Sequence, residues 1–250
     1  MGAYRSTPLG KCRANTTQLL VHDLKALWRM LGIERWLVTG GSSGALLALA
    51  YGQAYPDACL GFVLSSILLD SLGEIDWFLH GMRLFYPQAH KHFTTWIPEE
   101  KRGDLLAAYE KRLFADAPAV RMEIARRWYR YSEDCALLAH DPQAVQQALK
   151  QNSVVYSTVR LRAHYFRHRM FLEPGQLINN MERIAHLPAA IVQSGHDVIT
   201  PPQAAYRLHR AWPGSVLHIV PDAGHAPSEP RIQVQLMQAL EKFRKEGNFS

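Results

Sequence analysis

Apolar residues recur along this chain in two rhythms, one near the helical period and one of short unbroken runs, and the two alternate. Residues 15–31 (NTTQLLVHDLKALWRML) set Leu20, Leu24, Leu27 and Leu31 at helical spacing with Trp28 beside them. Asn15 or Thr16 can cap this helix and Gly32 ends it. Residues 35–39 (RWLVT) form a short β-type run leading into the turn Gly40-Gly41-Ser42-Ser43-Gly44. A small-residue apolar helix is predicted over 45–55 (ALLALAYGQAY), stopped by Pro56, and a buried strand over 61–69 (GFVLSSILL). Helix, strand, turn, helix, strand is the alternation of a parallel sheet.

From residue 70 the pattern changes. Aromatic and charged residues mix at helical spacing, as in DLLAAYEKRLF and VRMEIARRWYRY, and β-type runs are scarce as far as residue 180. The sheet pattern then resumes with a strand over 189–194 (AAIVQS), a helix over 203–212, a strand over 216–220 (VLHIV) and a closing helix over 231–245. The reading is an α/β chain of three parts: 1–69 opens a mostly parallel sheet core, 70–180 is a helical cap inserted into it, and 181–250 completes the core. There is no internal repeat and no low-complexity linker.

Composition changes this picture little. Hydrophobic residues are 48% and charged residues 20% of the 250, the balance of a globular protein. The formal charge, 28 − 22 = +6, raises an acidic partner. However, the basic residues are scattered over amphipathic segments and no nucleic-acid motif accompanies them, so no nucleic-acid partner is expected. The run Arg160-x-Arg162-x-His164-x-x-Arg167-His168-Arg169 is read as a solvated helix face, with an acidic substrate or partner as the alternative, and Trp128, Tyr129 and Tyr131 as cap core, with a substrate platform as the alternative. Cys12, Cys59 and Cys135 show neither metal-ligand spacing nor a pairing pattern, which suits a reducing compartment. The opening MGAYRSTPLGKCR lacks the apolar stretch of a secretory signal, and no apolar run reaches the roughly 18 residues of a membrane span. A cytoplasmic location and no membrane partner are the expectations.

The chemistry lies at three strand ends. Gly40-x-Ser42-x-Gly44 stands between a strand and a small-residue helix, the context of a nucleophile elbow, which holds a serine Oγ clear of the sheet. Of the two serines only Ser42 has glycine both two before and two after it, and only glycine is expected to fit at either place. Ser43 would give its backbone N–H to an oxyanion. A serine hydroxyl is a weak nucleophile and needs a base, itself held by a carboxylate. In the chain order nucleophile, acid, base, Asp197 follows the AAIVQS strand in Ser-Gly-His-Asp, and His225 follows the VLHIV strand in Asp-Ala-Gly-His. Asp222 is the alternative acid, and His196 is read as a turn residue.

On these motifs the chain resembles the prolyl aminopeptidase (proline iminopeptidase) family of α/β-hydrolases over essentially its whole length. The matching segments are GAYRSTP, NTTQLLVHDLKALWRMLGIERWLVTGGSSG, ALAYGQAYPD, the His164-Tyr165-Phe166 triplet, and IVQSGHDVITP with PDAGHAPSEP. The resemblance implies removal of N-terminal proline from peptides, a triad at Ser42, Asp197 and His225, and no cofactor or metal.

Three departures qualify it. The family's GGSWG has lost its tryptophan, which is Ser43 here. The two cap glutamates by which the family grips the substrate's amino group fall at Ser132, in Trp128-Tyr129-Arg130-Tyr131-Ser132, and at Arg162, before Ala163-His164-Tyr165-Phe166. An acid pair favours a cation and an arginine opposes one. Glu133 adjoins the first position but is expected to point elsewhere on a helix. Finally, 41 residues precede Ser42, fewer than the family's roughly one hundred, and Tyr4 replaces a glycine in the Gly2-Ala3-Tyr4-Arg5-Ser6 opening. The family's HGGPG loop, which lends the second oxyanion donor, has no counterpart. Losing one such donor costs on the order of 10²–10³ in rate. Either the chain start is set too late, or this is a remnant, or something else covers the exposed RWLVT edge, through which self-association is then expected.

The expectation is a serine hydrolase resembling prolyl aminopeptidase, acting on a small peptide or small-molecule acyl substrate. The alternatives are a hydrolase of a neutral or acidic ester or amide, and a truncated, non-catalytic fragment.

Overall fold

The computed structural model describes residues 7–69 and 72–249. The 2–6 opening with its Tyr4, and residues 70 and 71 at the start of the expected cap, lie outside the described residues.

The chain runs through α1 (Thr17–Leu31), β1 (Trp36–Gly41), α2 (Ser43–Ala54) and β2 (Cys59–Ser65). Helices then follow without a described strand: α3 (Leu72–Leu79), α4 (Pro87–Thr94), α5 (Leu105–Leu113), α6 (Pro118–Asp134), α7 (Pro142–Leu149), α8 (Asn152–Arg167) and α9 (Gln176–Asn179). β3 (Ala189–Ser194), α10 (Gln203–Arg210), β4 (Ser215–Val220) and α11 (Pro230–Glu246) complete it. Two compact units result, one of Thr17–Glu74 with Leu172–Ser250 and one of Met1–Thr16 with Ile75–Phe171.

The first unit is a parallel sheet in the order β1-β2-β3-β4. Successive strand residues point to opposite faces, so adjacent Phe62 and Val63 serve different layers. Val63 and Ala190 pack with Ala239 and Phe249, and with Leu236, Leu240 and Phe243 of α11. On the other face the Phe62 ring meets Trp212 edge-on at 5.2 Å, and Trp36 meets Tyr51 of α2 at 5.6 Å. Covering both faces is what lets parallel strands read as unbroken apolar runs. Burying a side chain such as Phe62 contributes about 1.5–3 kcal/mol.

Two details depart from the sequence expectation. β2 begins at Cys59 and stops at Ser65, short of residue 69. Ser66 turns to φ 47°, and the next N–H, of Ile67, goes to the Gln193 side chain at 2.9 Å instead of to a strand. Along α1 the periodicity is helical, but its apolar stripe is incompletely covered. Val21 is buried, whereas Leu27 and Leu31 are exposed. β1 has a neighbouring strand on one side only among the described residues.

The second unit is held by aromatic rings. Phe93 stacks on Tyr131 and on Tyr109, each at 4.5 Å, and Trp128 meets Tyr109 edge-on at 5.1 Å. Such pairs contribute about 0.5–1.5 kcal/mol each beyond burial. The two tyrosine hydroxyls are satisfied by main chain: Tyr109 Oη donates to Phe93 O at 2.6 Å and Tyr131 Oη to Phe78 O at 3.1 Å. Trp128 and Tyr131 are thus core residues, and Tyr129 is only partly buried. The basic run along α8 and just beyond it is not one solvated face. Arg160, Arg162 and His164 are partly buried, and Arg167, His168 and Arg169 are exposed, because the first half of the run lies where α8 packs on α5 and α6.

Candidate active site

Ser42 sits between the end of β1 and the start of α2 with φ 55° and ψ −122°. A non-glycine residue at positive φ is strained, and the strain is held here by neighbours on both sides. Ser42 N–H donates to Ser65 O at 3.0 Å, and Ser42 O receives the N–H groups of Ala45 and Leu46 at 2.9 and 3.2 Å. The glycines flanking it are not equivalent. A Cβ on Gly40 would lie 2.3 Å from Gly44 O, a main-chain collision, whereas a Cβ on Gly44 would meet nothing within 4 Å. Glycine is sterically required before the serine, and the second glycine is not. Ser43 opens α2, so its N–H is among those for which a helix provides no internal acceptor.

Asp197 follows β3 and His225 follows β4, and the parallel register of the two strands brings the loops together. His225 Nδ1 lies 2.9 and 3.0 Å from the two carboxylate oxygens of Asp197. The Asp197 side chain is fully buried, yet every lone pair has a use. Thr200 N–H donates to Oδ1 at 2.8 Å, Thr200 Oγ1 to Oδ2 at 2.9 Å, and Gln193 Nε2 to Oδ2 at 3.3 Å. A buried carboxylate persists as an anion only with donors of this kind around it. Glu229 accepts the Gly224 N–H at 3.0 Å, and His225 O accepts a hydrogen bond from Ser66 Oγ at 3.4 Å, which hold the histidine loop.

Asp222 is not at the histidine ring. It is exposed at φ 51° and paired with Arg231 at 2.9 Å, a solvent-screened contact of little energetic weight. His196 is exposed in its turn. Ser42 and His225 line one cavity of about 350 Å³, with Gly41, Ser65, Ser66 and Leu240 among its walls. No hydrogen bond joins Ser42 to His225 among the described residues. In free enzymes such bonds are often long and tighten only with substrate.

Sequence reasoning missed Thr200 and Gln193. Thr200 lies three residues beyond Asp197, a spacing at which a hydroxyl and a main-chain N–H can both return to a carboxylate. Gln193 was visible as the one amide in an apolar strand. In the helical unit, Arg162 Nη1 donates to Ser132 Oγ, so the two positions singled out there do meet. Glu133 is near enough for its charge to act on Arg162. Among the described residues no cluster of three or more His, Cys, Asp or Glu could hold a metal ion. Among the described residues no helix is long and apolar enough to cross a membrane.

A parallel sheet with a strained serine after one strand, an acid after a second and a histidine after a third defines the α/β-hydrolase class, and the family model for the alpha/beta hydrolase fold matches residues 1–231. Within that class the chain belongs to the proline iminopeptidase (prolyl aminopeptidase) family and is a hydrolase of that type. It is 40% identical to "Probable proline iminopeptidase" of Leptolyngbya boryana over 97% of this chain and 76% of that protein. It is also 40% identical to "Proline iminopeptidase" of Arabidopsis thaliana, over 97% of this chain and 64% of the relative. Among solved structures, a thermophilic esterase from Thermogutta terrifontis superposes with a TM-score of 0.65, at 19% identity over 99% of this chain and 78% of that one. At that identity the likeness concerns the fold.

Proposed function

We propose that this hydrolase works by acyl transfer to Ser42, with His225 as base and then acid, Asp197 as the orienting carboxylate, and the Ser43 N–H as an oxyanion donor. The observation that carries the reading is the buried Asp197 carboxylate on His225 Nδ1, with Ser42 on the same cavity wall. With Nδ1 engaged by the carboxylate, His225 Nε2 is the nitrogen available to take the Ser42 proton as Oγ attacks the acyl carbon. The imidazolium then returns that proton to the departing amine or alcohol, and water repeats the sequence on the acyl-enzyme.

The substrate is a small peptide or small-molecule acyl compound. The relatives' names point to peptides with N-terminal proline. The helical stretch 70–180 acts as a cap between core segments 1–69 and 181–250, and its Ser132 and Arg162 are substrate contacts. The outer edge of β1 is the surface through which copies associate.

Labelling with a fluorophosphonate, together with turnover of Pro-Ala and of a neutral acyl ester, tests the chemistry. Labelling confined to Ser42 and abolished with turnover in Ser42→Ala is expected. Turnover that survives Ser42→Ala would overturn the assignment. Absence of both labelling and turnover would identify a non-catalytic chain.

A further inference from the structure

Three successive residues at the end of β2 reach the three loops that carry Ser42, His225 and Asp197. Ser65 O accepts the Ser42 N–H at 3.0 Å. Ser66 Oγ donates to His225 O at 3.4 Å. The Ile67 N–H, which has left the strand, donates to Gln193 Oε1 at 2.9 Å. The first two contacts are direct. The third reaches the acid only through the Gln193 amide. All of these residues belong to the sheet unit.

Gln193 is fully buried on β3, one residue beyond the last pair that β3 makes with β2, Val192 with Ser65. Its amide fits in one orientation. A main-chain N–H only donates and a carbonyl only accepts, so Oε1 faces Ile67 and Nε2 faces Thr200 O, at 3.0 Å. The second hydrogen on Nε2 is left for Asp197 Oδ2 at 3.3 Å, with Ser194 O farther away at 3.5 Å. Thr200 in turn gives both its N–H and its hydroxyl to Asp197, at 2.8 and 2.9 Å. Gln193 therefore holds the acid twice, once directly and once by fixing the residue that supplies two of its other donors. A buried amide is costly unless its groups are paired, and here the oxygen and both N–H groups are paired.

We propose that Gln193 is a positioning residue, which fixes Asp197, and through it His225, against the same turn that holds the Ser42 main chain. This deepens the function proposed above and rests on its reading of Asp197 and His225 as acid and base. The end of β2 is then the common anchor of the three loops, and Gln193 is its link to the carboxylate.

Gln193→Met tests this, because methionine keeps the length of the side chain and removes its donors and its acceptor. Two quantities are read besides the melting curve. One is kcat and KM for an activated acyl ester. The other is the low-field proton resonance of a histidine Nδ1–H held by a carboxylate, assigned by its loss in Asp197→Asn. In Gln193→Met, kcat should fall by roughly 10- to 100-fold, the range for a hydrogen bond to a charged group, with KM unchanged. The resonance should shift or broaden. A folded variant with kcat unchanged, or with the resonance unmoved, overturns the proposal, since a residue that only braces β2 would lower Tm and leave both as they are. If Gln193→Met does not fold, Gln193→Glu takes its place under the same criteria, because it keeps an acceptor for Ile67 N–H and loses only the amide donors.

The resonance does not need Ser42. If the wild-type chain neither turns over ester nor labels at Ser42, the acyl-transfer reading fails and the resonance alone decides the role of Gln193. Wild-type labelling and turnover with an unaffected Gln193→Met leave the triad standing and overturn only this proposal. Absence of the resonance from the wild-type spectrum overturns it as well.

Discussion

Replacing Asp197 by asparagine keeps the shape of the side chain and inverts half of its hydrogen-bonding character. The carboxylate receives Thr200 N–H, Thr200 Oγ1, Gln193 Nε2 and His225 Nδ1, all within 3.3 Å. The Thr200 main-chain donor cannot turn, so the amide oxygen of Asp197→Asn should face it. The NH₂ group then stands where Oδ2 stood, against His225 Nδ1, Thr200 Oγ1 and Gln193 Nε2. The threonine hydroxyl can rotate to accept. The glutamine amide remains a donor facing a donor, a mismatch costing about 1–3 kcal/mol of stability in a buried site. His225 can accept at Nδ1 only by moving its proton to Nε2, the nitrogen needed as base. On a Ser-His-Asp mechanism that tautomer lowers kcat by about 10⁴-fold, or roughly 5.5 kcal/mol of barrier. KM should change little, because Asp197 is fully buried and does not reach the substrate. The assay is kcat and KM for an activated acyl ester, with circular dichroism and a melting curve on the same preparation. A folded Asp197→Asn variant retaining activity within tenfold of the parent would refute this account of the carboxylate.

The flanking glycines should separate in a solubility and melting comparison. Gly40→Ala drives a Cβ against Gly44 O and should abolish folding or cut Tm severely, whereas Gly44→Ala should fold normally. Equal effects would mean the turn can relax around either methyl group. Proline arylamide, which brings a cation and no carboxylate, should be a weak substrate of the unmodified chain. Joint Ser132→Glu and Arg162→Glu substitution should raise its kcat/KM relative to acyl-ester hydrolysis, and robust turnover before the change would defeat that reading of the cap. Light scattering on a size-exclusion column should find a mass above the monomer's, reduced by Val38→Lys at the β1 edge. A heat-resistant monomer would contradict the proposed association.

Local chemistry was enough to mark where β1, β3 and β4 end and which residues stand there. Gly40-x-Ser42-x-Gly44 after RWLVT, Asp197 after AAIVQS and His225 after VLHIV were all legible, because turn residues and β-type runs are encoded by neighbours in the chain. The helical character of 72–180 was legible for the same reason, from spacing alone. What neighbours in the chain cannot encode is partnership across it. Asp222 is nearer to His225 in sequence, yet the β3–β4 register delivers Asp197 to the imidazole and leaves Asp222 with Arg231 in solvent. The early end of β2 came from Gln193, a residue 126 positions away from Ile67. Arg162 and Ser132 stand 30 residues apart on different helices, and periodicity made the basic run a solvated face. Only helix packing decided that the first half of the run turns inward, because burial depends on what lies opposite a side chain, and that is a property of the fold.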